Sequence, residues 1–317
     1  MFIYKLFFLA IIILFCILII SFSLPLFLGI VALGITIILS WSKYECKRYK
    51  IARYTIDDID NKDFTGLRIV VLADMHNCWF DEDNSSIIRD IKEYKPDIIV
   101  IAGDMIVCSE NHINNNIKTA EFVNRLALVA PVYYGYGNHE MGVSAQYKGV
   151  GDNWINYTSI LSDKVHLLNN EKITFEIKGQ LFSIYGLNIR GKHYTRFKVP
   201  PLYVQDIETY IGRVDKNSYN ILIAHHPDYF ESYVKWGANL VLSGHNHGGL
   251  VRLPLIGGLL SPRLHIMPRF TYGIYKKNDT KMLLTNGLGA HSLKIRVNNI
   301  PEIVFLNINS TQQSCKK

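Results

Sequence analysis

Short apolar runs that end in metal-binding residue types recur five times along this chain of 317 residues. Each run is rich in Ile, Val, Leu or Tyr and has the length of a strand buried on both faces. Since ligands of open α/β sheets bind beyond the carboxyl ends of strands, these ends are predicted to share one site. The five junctions are Ala73-Asp74-Met75-His76, Gly103-Asp104, Gly137-Asn138-His139-Glu140, Ala224-His225-His226 and Ser243-Gly244-His245-Asn246-His247-Gly248-Gly249.

Strand-like and helix-like segments alternate along the first part of this region. Ser85–Tyr94 and Asn116–Leu128 have apolar residues at helical spacing, and the first of them also has helix start signals. The alternation predicts α/β layers, and the strand-rich later part predicts a second sheet packed on the first. The predicted strands are Leu67–Ala73, Asp97–Ala102, Pro131–Tyr136, Ile173–Ile177, Phe182–Leu187, Tyr219–Ala224, Asn239–Leu242, Lys281–Leu284 and Pro301–Asn307.

Each motif alone has an ordinary structural explanation. A Gly-Asp pair after a strand is usually a turn, Asn138-His139 is compatible with a helix start, and a buried His225 with a hydrogen-bonded core. His245 and His247 favour a metal site, because two close imidazoles repel each other when protonated. The glycines in the motifs allow tight turns and close approach of the backbone to a ligand. Five such motifs in one chain indicate a shared site.

The ordered set of motifs resembles the calcineurin-like metallophosphoesterases. The similarity covers Leu67–Asn307, and the stretch Gly287–Glu302, together with the apolar N-terminus, resembles the bacterial membrane-associated YkuE-like branch. That branch commonly has Thr and Gln where this chain has Asn246 and Leu250, and neither is a ligand position. The resemblance implies a four-layer α/β/β/α sandwich, two packed mixed sheets flanked by helices, that hydrolyses phosphate esters.

The resemblance further implies two divalent metal ions bound by seven side chains. It assigns Asp74, His76 and His247 to the first ion, Asn138, His225 and His245 to the second, and Asp104 to both. His139 is implied as the general acid or transition-state stabiliser, whereas the neighbouring His226 is not assigned as a metal ligand. Mixed imidazole, carboxylate and amide ligands suit Mn, Fe or Zn, and the sequence leaves the choice open.

The expected reaction is in-line attack of an activated water on phosphorus, with His139 aiding the leaving oxygen. The bond is left open among phosphodiester, phosphomonoester and pyrophosphate. One alternative is a phosphodiesterase for soluble nucleotides or phosphoproteins. The other is a non-catalytic membrane scaffold on the same fold, which a lost ligand would favour, and this chain retains every one.

The segment Arg252–Arg263, which follows the fifth motif, bears on the substrate. It is apolar and flanked by arginines, so it is compatible with an apolar lip beside the metals and with a lipid-linked phosphate or pyrophosphate. It is equally compatible with a buried connection, because exposed and buried apolar loops look alike in sequence. Arg190 and Arg196, in a second basic loop, are weaker candidates for binding phosphate.

The N-terminus is predicted to lie in a membrane. Leu6–Leu39 contains no charged residue, and it is too long for one untilted crossing, which takes about 20 residues. Pro25 favours two short spans, roughly 5–22 and 26–42, over one long kinked helix. A basic cluster follows the apolar block, and a flank of this kind is typical of the cytoplasmic side. A catalytic domain on the cytoplasmic face of the cell membrane is therefore expected. The basic cluster after the apolar block is Lys43, Lys47, Arg48, Lys50 and Arg53.

The expected organisation is a membrane anchor at 1–42, a juxtamembrane linker at 43–64, a metallophosphoesterase domain at 65–310 and a tail at 311–317.

The net charge of +7 fits attraction to an anionic leaflet. Nucleic acid is not an expected partner, because no Lys/Arg-rich helix or recognised nucleic-acid module is visible. The five scattered cysteines indicate neither a disulfide framework nor a thiolate zinc site. The oligomeric state is left open.

Overall fold

The computed structural model describes residues 2–21, 24–145, 151–195, 200–253, 257–261, 265–290 and 294–312. The helices are Phe2–Ser21 (α1), Leu24–Cys46 (α2), Ser85–Tyr94 (α3), Ile113–Ala127 (α4), Asn138–Ser144 (α5), Gly151–Ile160 (α6), Val204–Ile211 (α7) and Phe230–Trp236 (α8). The strands are Lys50–Ile59 (β1), Leu67–Leu72 (β2), Ile98–Ala102 (β3), Val132–Gly135 (β4), Val165–Leu168 (β5), Glu171–Ile177 (β6), Gln180–Leu187 (β7), Tyr219–Ala224 (β8), Leu240–Ser243 (β9), Val251–Leu253 (β10), Gly257–Leu260 (β11), Gly273–Lys277 (β12), Thr280–Leu284 (β13) and Glu302–Ser310 (β14).

Two six-stranded mixed sheets form the body of the molecule. The first has the order β1-β14-β2-β3-β4-β5, and the second has the order β12-β13-β9-β8-β7-β6. Strands β2 to β5 are parallel, as are β7, β8, β9 and β13. Their continuous aliphatic sequences follow from this arrangement, because a central strand covered on both faces has no polar side. The prediction of α/β structure with two packed sheets is confirmed.

Three apolar cores hold the layers together. The core between the sheets contains residues of both, such as Val71 of β2 and Ile221 of β8. The outer face of the first sheet packs against α3 and α4 through residues such as Ile87 and Phe122. The outer face of the second sheet packs against α7 and α8, where Trp236 is buried. Burial of both faces of each sheet leaves the strand ends as the exposed place for a site.

Strand β1 lies within the segment 43–64, which the sequence predicted to be a juxtamembrane linker. It pairs in parallel with β14 along its whole length, so it is an edge strand of the first sheet. Only Ile56 and Ile59 of β1 are buried, and its other side chains are exposed or half-buried. A strand with one half-buried face carries a weak local signal, and its pairing partner lies at the opposite end of the chain. The segment predicted as a linker therefore contains an edge strand over Lys50–Ile59.

The N-terminal helices flank the break that was predicted near Pro25. Phe22 and Ser23, part of that break, lie outside the described residues. The rings of Phe15 in α1 and Phe27 in α2 are 5.5 Å apart, so the two helices touch. Among the described residues one helix, Pro25–Cys46, is long and apolar enough to cross a membrane, judged by its length and composition alone.

Candidate metal centre

The carboxyl ends of β2, β3, β4, β8 and β9 meet at one edge of the packed sheets. The link between the sheets is direct, because Nδ1 of His225, after β8, lies 2.7 Å from the carbonyl oxygen of Ala102 in β3. The predicted convergence beyond strand ends therefore occurs, with three ends from the first sheet and two from the second. Packing of two sheets brings together side chains that one sheet would hold farther apart.

The first group of candidate ligands consists of Asp74, His76 and His247, all buried. Nε2 of His247 lies 3.4 Å from Oδ1 of Asp74, and Nε2 of His76 lies 4.0 Å from the same oxygen. The two imidazole Nε2 atoms are 3.3 Å apart. Ligand atoms this close together can bind one cation.

The second group consists of Asp104, His225 and His245. Oδ2 of Asp104 lies 3.1 Å from Nε2 of His225 and 3.9 Å from Nε2 of His76 in the first group. This carboxylate oxygen therefore faces both groups. Its partner, Oδ1, accepts a hydrogen bond of 2.8 Å from the backbone N–H of His139, which fixes the orientation of the carboxylate.

The environment of the Asn138 side chain shows whether these residues fit a metal ion. Its side-chain oxygen Oδ1 is shielded from solvent and accepts no hydrogen bond from any described residue. A buried acceptor left in this state is costly. The residue precedes His139, whose N–H binds Asp104, so Asn138 lies beside the second group. An amide oxygen with this environment, next to carboxylate and imidazole donors, fits a hard or borderline divalent cation.

The backbone at the centre is unusual for L-residues. Five of the predicted ligands have positive φ angles, in the left-handed region that costs energy for residues other than glycine. Such conformations persist at functional sites where the surrounding structure enforces them. These residues are Asp74 (51°), His76 (47°), Asp104 (57°), His245 (75°) and His247 (48°).

Two glycines let the backbone approach the carboxylates. A Cβ atom on Gly137 would overlap Oδ1 of Asp104, and one on Gly244 would lie 2.5 Å from Oδ2 of Asp74. Side chains at these positions would push the carboxylates away from the imidazoles. These two glycines therefore allow the backbone to pack closely around the candidate centre.

His139 lies beside both groups and is buried. Its ring is 4.8 Å from the ring of His76, and it shares a cluster of ligand atoms with His76 and Asp104. The backbone N–H of Cys108 donates to Nδ1 of His139 at 2.9 Å. Because Nδ1 acts as an acceptor, the proton of the neutral ring lies on Nε2. His139 can therefore donate a hydrogen bond from Nε2.

Burial and close charges shift the protonation equilibria of the centre. Burial lowers the pKa of His225, but the neighbouring Asp104 raises it, and the pKa reaches about 10. Burial opposes ionisation of Asp104, but the neighbouring His225 and His139 hold its pKa well below the usual value. Burial, with a contribution from Arg296, lowers the pKa of His247 to about 3. A neutral His247 at physiological pH is the form that binds metals.

Glu140 supports the centre, a role that the sequence did not reveal. Its buried carboxylate accepts backbone N–H groups of Asp104 at 2.8 Å and of Met105 at 2.8 Å, and of Gly137 at 3.0 Å. The Tyr134 hydroxyl also donates to it at 2.6 Å. Glu140 thus ties the loop after β3 to the loop after β4. Its place beside Asn138-His139 was the available signal.

Other sequence candidates lie at the rim or outside the described residues. Arg252 is buried, donates to the carbonyl of Gly248 at 2.9 Å and to the side chain of Asn286, and so supports the loop after β9 rather than an exposed lip. Arg190 is exposed. Arg196 and Arg263 lie outside the described residues. Part of the predicted lip forms a hairpin of β10 and β11.

Comparison with known proteins agrees with this geometry. The profile of the family described as calcineurin-like phosphoesterase matches residues 67–249, more than half of the chain. The chain belongs to this family. It is therefore a metal-dependent phosphoesterase, a hydrolase, with clustered Asp and His residues suited to a dinuclear site.

Relatives of this phosphoesterase occur in bacteria and in animals. The metallophosphoesterase YkuE of Bacillus subtilis is 28% identical over 78% of this chain and 81% of its own length. Phosphodiesterase YaeI of Escherichia coli is 26% identical over 76% of this chain and 82% of its own length. A transmembrane protein with a metallophosphoesterase domain from Bos taurus is 24% identical over 76% of this chain and 52% of its own length.

Proposed function

We propose that this phosphoesterase is membrane-anchored and hydrolyses a phosphate ester or anhydride at a centre of two divalent ions. The observation that carries the proposal is the position of Asp104, whose Oδ2 faces both groups of ligands. Asp74, His76 and His247 would hold one ion, and Asn138, His225 and His245 the other, with Asp104 shared. The donor set suits Mn, Fe or Zn.

A pair of divalent ions supplies an activated water and neutralises charge on phosphoryl oxygens. Among the residues of the chain, Asp104 is held in place by a hydrogen bond from the N–H of His139, and its other oxygen would be the ligand shared by both ions. Nε2–H of His139 would donate to the leaving oxygen, and the hydrogen bond from Cys108 keeps the proton on that nitrogen. His139 is thus the catalytic residue of the proposal.

Two substitutions separate metal binding from catalysis. We expect Asp104→Asn to lose both bound metal and turnover, because it removes the shared charge. His139→Ala is expected to keep both metals and to slow turnover by about 10²- to 10⁴-fold, the usual contribution of a positioned acid or base. Metal content of the purified full chain and hydrolysis of a p-nitrophenyl phosphodiester measure the two effects. Asp163→Asn, at an exposed aspartate, is the control.

Unchanged turnover in His139→Ala would remove this residue from the mechanism. Full metal content in Asp104→Asn would contradict the ligand assignment. A wild-type chain that binds metal but hydrolyses no phosphoester would favour the scaffold alternative. The diester probe is chosen first because the Escherichia coli relative is named a phosphodiesterase.

The proposed anchor is a hairpin of two spans at 1–42, with the catalytic domain beginning at β1 and ending at 310, on the cytoplasmic side. The contact between Phe15 and Phe27 supports two helices that pack together. Trp41 and Tyr44, near the end of α2, are 45% and 53% exposed, as expected for aromatic residues at a membrane surface. Arg48 lies over the ring of Tyr44 at 4.2 Å, which adds positive charge at this level.

The proposed substrate is a lipid-linked phosphate or pyrophosphate in the adjoining leaflet. Leu253, Ile266 and Met267, on or beside the β10–β11 hairpin, have 38%, 76% and 46% of their surface exposed. Arg252 of this hairpin bonds through its N–H to Val297, in the segment that contacts the end of α2. Exposed apolar side chains that follow the fifth motif, on a hairpin linked to α2 through the segment of Val297, favour a lipid surface over open water.

A further inference from the structure

The last turn of α2 has one exposed and one buried face. Trp41 and Tyr44 are exposed, whereas Ser42 and Glu45 are each only 2% exposed. A Ser and a Glu buried at the end of an apolar helix need hydrogen-bond partners. This face is therefore packed against the catalytic domain, and its partners show which part.

Both polar side chains bind the backbone of one segment, Lys294–Asn299. The N–H of Arg296 donates to Oγ of Ser42 at 2.9 Å, and the N–H of Asn299 donates to Oε2 of Glu45 at 2.9 Å. The helix end thus fixes the positions of Arg296 and Asn299.

The side chains of these two residues hold the loops around His247. Nδ2 of Asn299 donates to the carbonyl of His247 at 2.7 Å and also to that of Gly249. Arg296, which is fully buried, donates to the carbonyls of Gly287 at 3.2 Å and of Gly289. The carbonyl of Gly289 in turn lies 3.1 Å from Nδ1 of His247.

These contacts orient His247 for a ligand at its other nitrogen. A carbonyl can only accept, so Nδ1 of His247 carries the proton and Nε2 is left with a lone pair. Nε2 is the atom that lies 3.4 Å from Oδ1 of Asp74. Partners that fix the tautomer and the orientation of a ligating imidazole strongly affect metal affinity.

We propose that Ser42 and Glu45, at the end of the membrane helix, are positioning residues of the metal centre that act on His247 through Arg296 and Asn299. This inference rests on the proposed function, in which His247 is a ligand. It makes the anchor part of the site rather than a tether. A phosphoesterase without the end of α2 would bind its first metal poorly.

The test is a double-mutant cycle on the full chain in detergent micelles, read by calorimetric titration with Mn²⁺. We expect Glu45→Ala to weaken Mn²⁺ binding roughly tenfold, in the range found for residues that support metal ligands. Glu45→Gln keeps an acceptor oxygen and should bind as the wild type does. Ser40→Ala, at an exposed serine two residues before Ser42, is the matched control.

In the Asn299→Ala background, Glu45→Ala should add little, because the effect passes through Asn299. Wild-type affinity in Glu45→Ala, or an equally large loss in both backgrounds, would overturn the inference. If Glu45→Ala lacks a cooperative thermal transition without metal, Glu45→Asp replaces it in the cycle. A wild-type chain that fails to bind two Mn²⁺ ions would refute the proposed function instead, so the two failures are distinguishable.

Discussion

His225 and Asp104 show how the protonation of single residues bears on the proposed binding of cations. With the pKa of His225 raised to about 10 beside Asp104, the metal-free protein carries a proton on this imidazole at neutral pH. The same Nε2 atom faces Oδ2 of Asp104 at 3.1 Å. A proton thus occupies the position that a cation would take, and the ligand form of the imidazole is the neutral one.

Metal binding should therefore release a proton at pH 7. Because the folded pKa lies above the ordinary value of 6.5, the competing proton is held below about pH 10 and lost above it, so the apparent affinity for Mn²⁺ should rise as pH approaches 10. Calorimetric titration at pH 7 in two buffers of different ionisation enthalpy measures the proton count. Heats that do not depend on the buffer would contradict this protonation state.

Some residues that support the candidate site were not identifiable from the sequence around them. The seven proposed ligands and His139 lie in motifs that each follow an apolar run, and the resemblance to the family assigns their roles. Glu140 belongs to a motif, yet its role emerges only from the backbone N–H groups of two loops that donate to its carboxylate. Asn299 lies in the stretch Gly287–Glu302, outside the five ligand motifs. It donates a hydrogen bond to the backbone carbonyl of His247, a role that no residue-type signal identifies.

Among the elements, nine predicted strands were confirmed, most within one or two residues. Their continuous Ile, Val and Leu runs reflect burial on both faces, which is a local property of sequence. The strands that were missed, β1, β5, β10, β11 and β12, are edge strands of the sheets or parts of the small hairpin. Edge strands have mixed exposure, so their existence depends on the partner more than on their own pattern.

Strand β1 gives a test at this scale. Ile56 is 3% exposed in the core between the sheets, so Ile56→Ala should lower the free energy of unfolding by about 2–5 kcal/mol, the usual cost of such a cavity. Thr55→Ala, at the exposed neighbour, should change it by less than about 0.5 kcal/mol. Urea unfolding of the full chain in micelles measures both. Equal midpoints for the two variants would mean that this segment is a linker after all.

Hydrogen bonds link an apolar helix, an apolar hairpin and the candidate metal centre in the whole molecule. The segment Lys294–Asn299 contacts both α2, through Ser42, and β10, through Arg252. A helix that crosses the bilayer would therefore bring the hairpin to the surface of the same membrane. The site would then face substrates whose phosphate lies at the level of the lipid headgroups.

The double variant Ile266→Ser with Met267→Ser tests this arrangement. It should lower kcat/KM on a lipid pyrophosphate in vesicles roughly tenfold, because two apolar side chains no longer enter the lipid surface. Hydrolysis of a soluble p-nitrophenyl phosphodiester should be unchanged. Leu128→Ser, at a leucine 80% exposed on the turn after α4, is the control. If the wild type preferred soluble nucleotides to lipid pyrophosphates, the proposal of a lipid-linked substrate would be contradicted.

The sequence by itself determined the layers and the candidate ligands. The layers follow from a local rule, because buried strands are continuously apolar. The candidate ligands follow from the residue types at the carboxyl ends of the strands together with the resemblance to the family. The sequence also predicted that the five strand ends share one site, but only the tertiary structure decided that three of these ends belong to one sheet and two to the other. It alone decided, too, that Glu45 binds Asn299. Contacts between residues so distant along the chain depend on packing geometry, which no local pattern encodes.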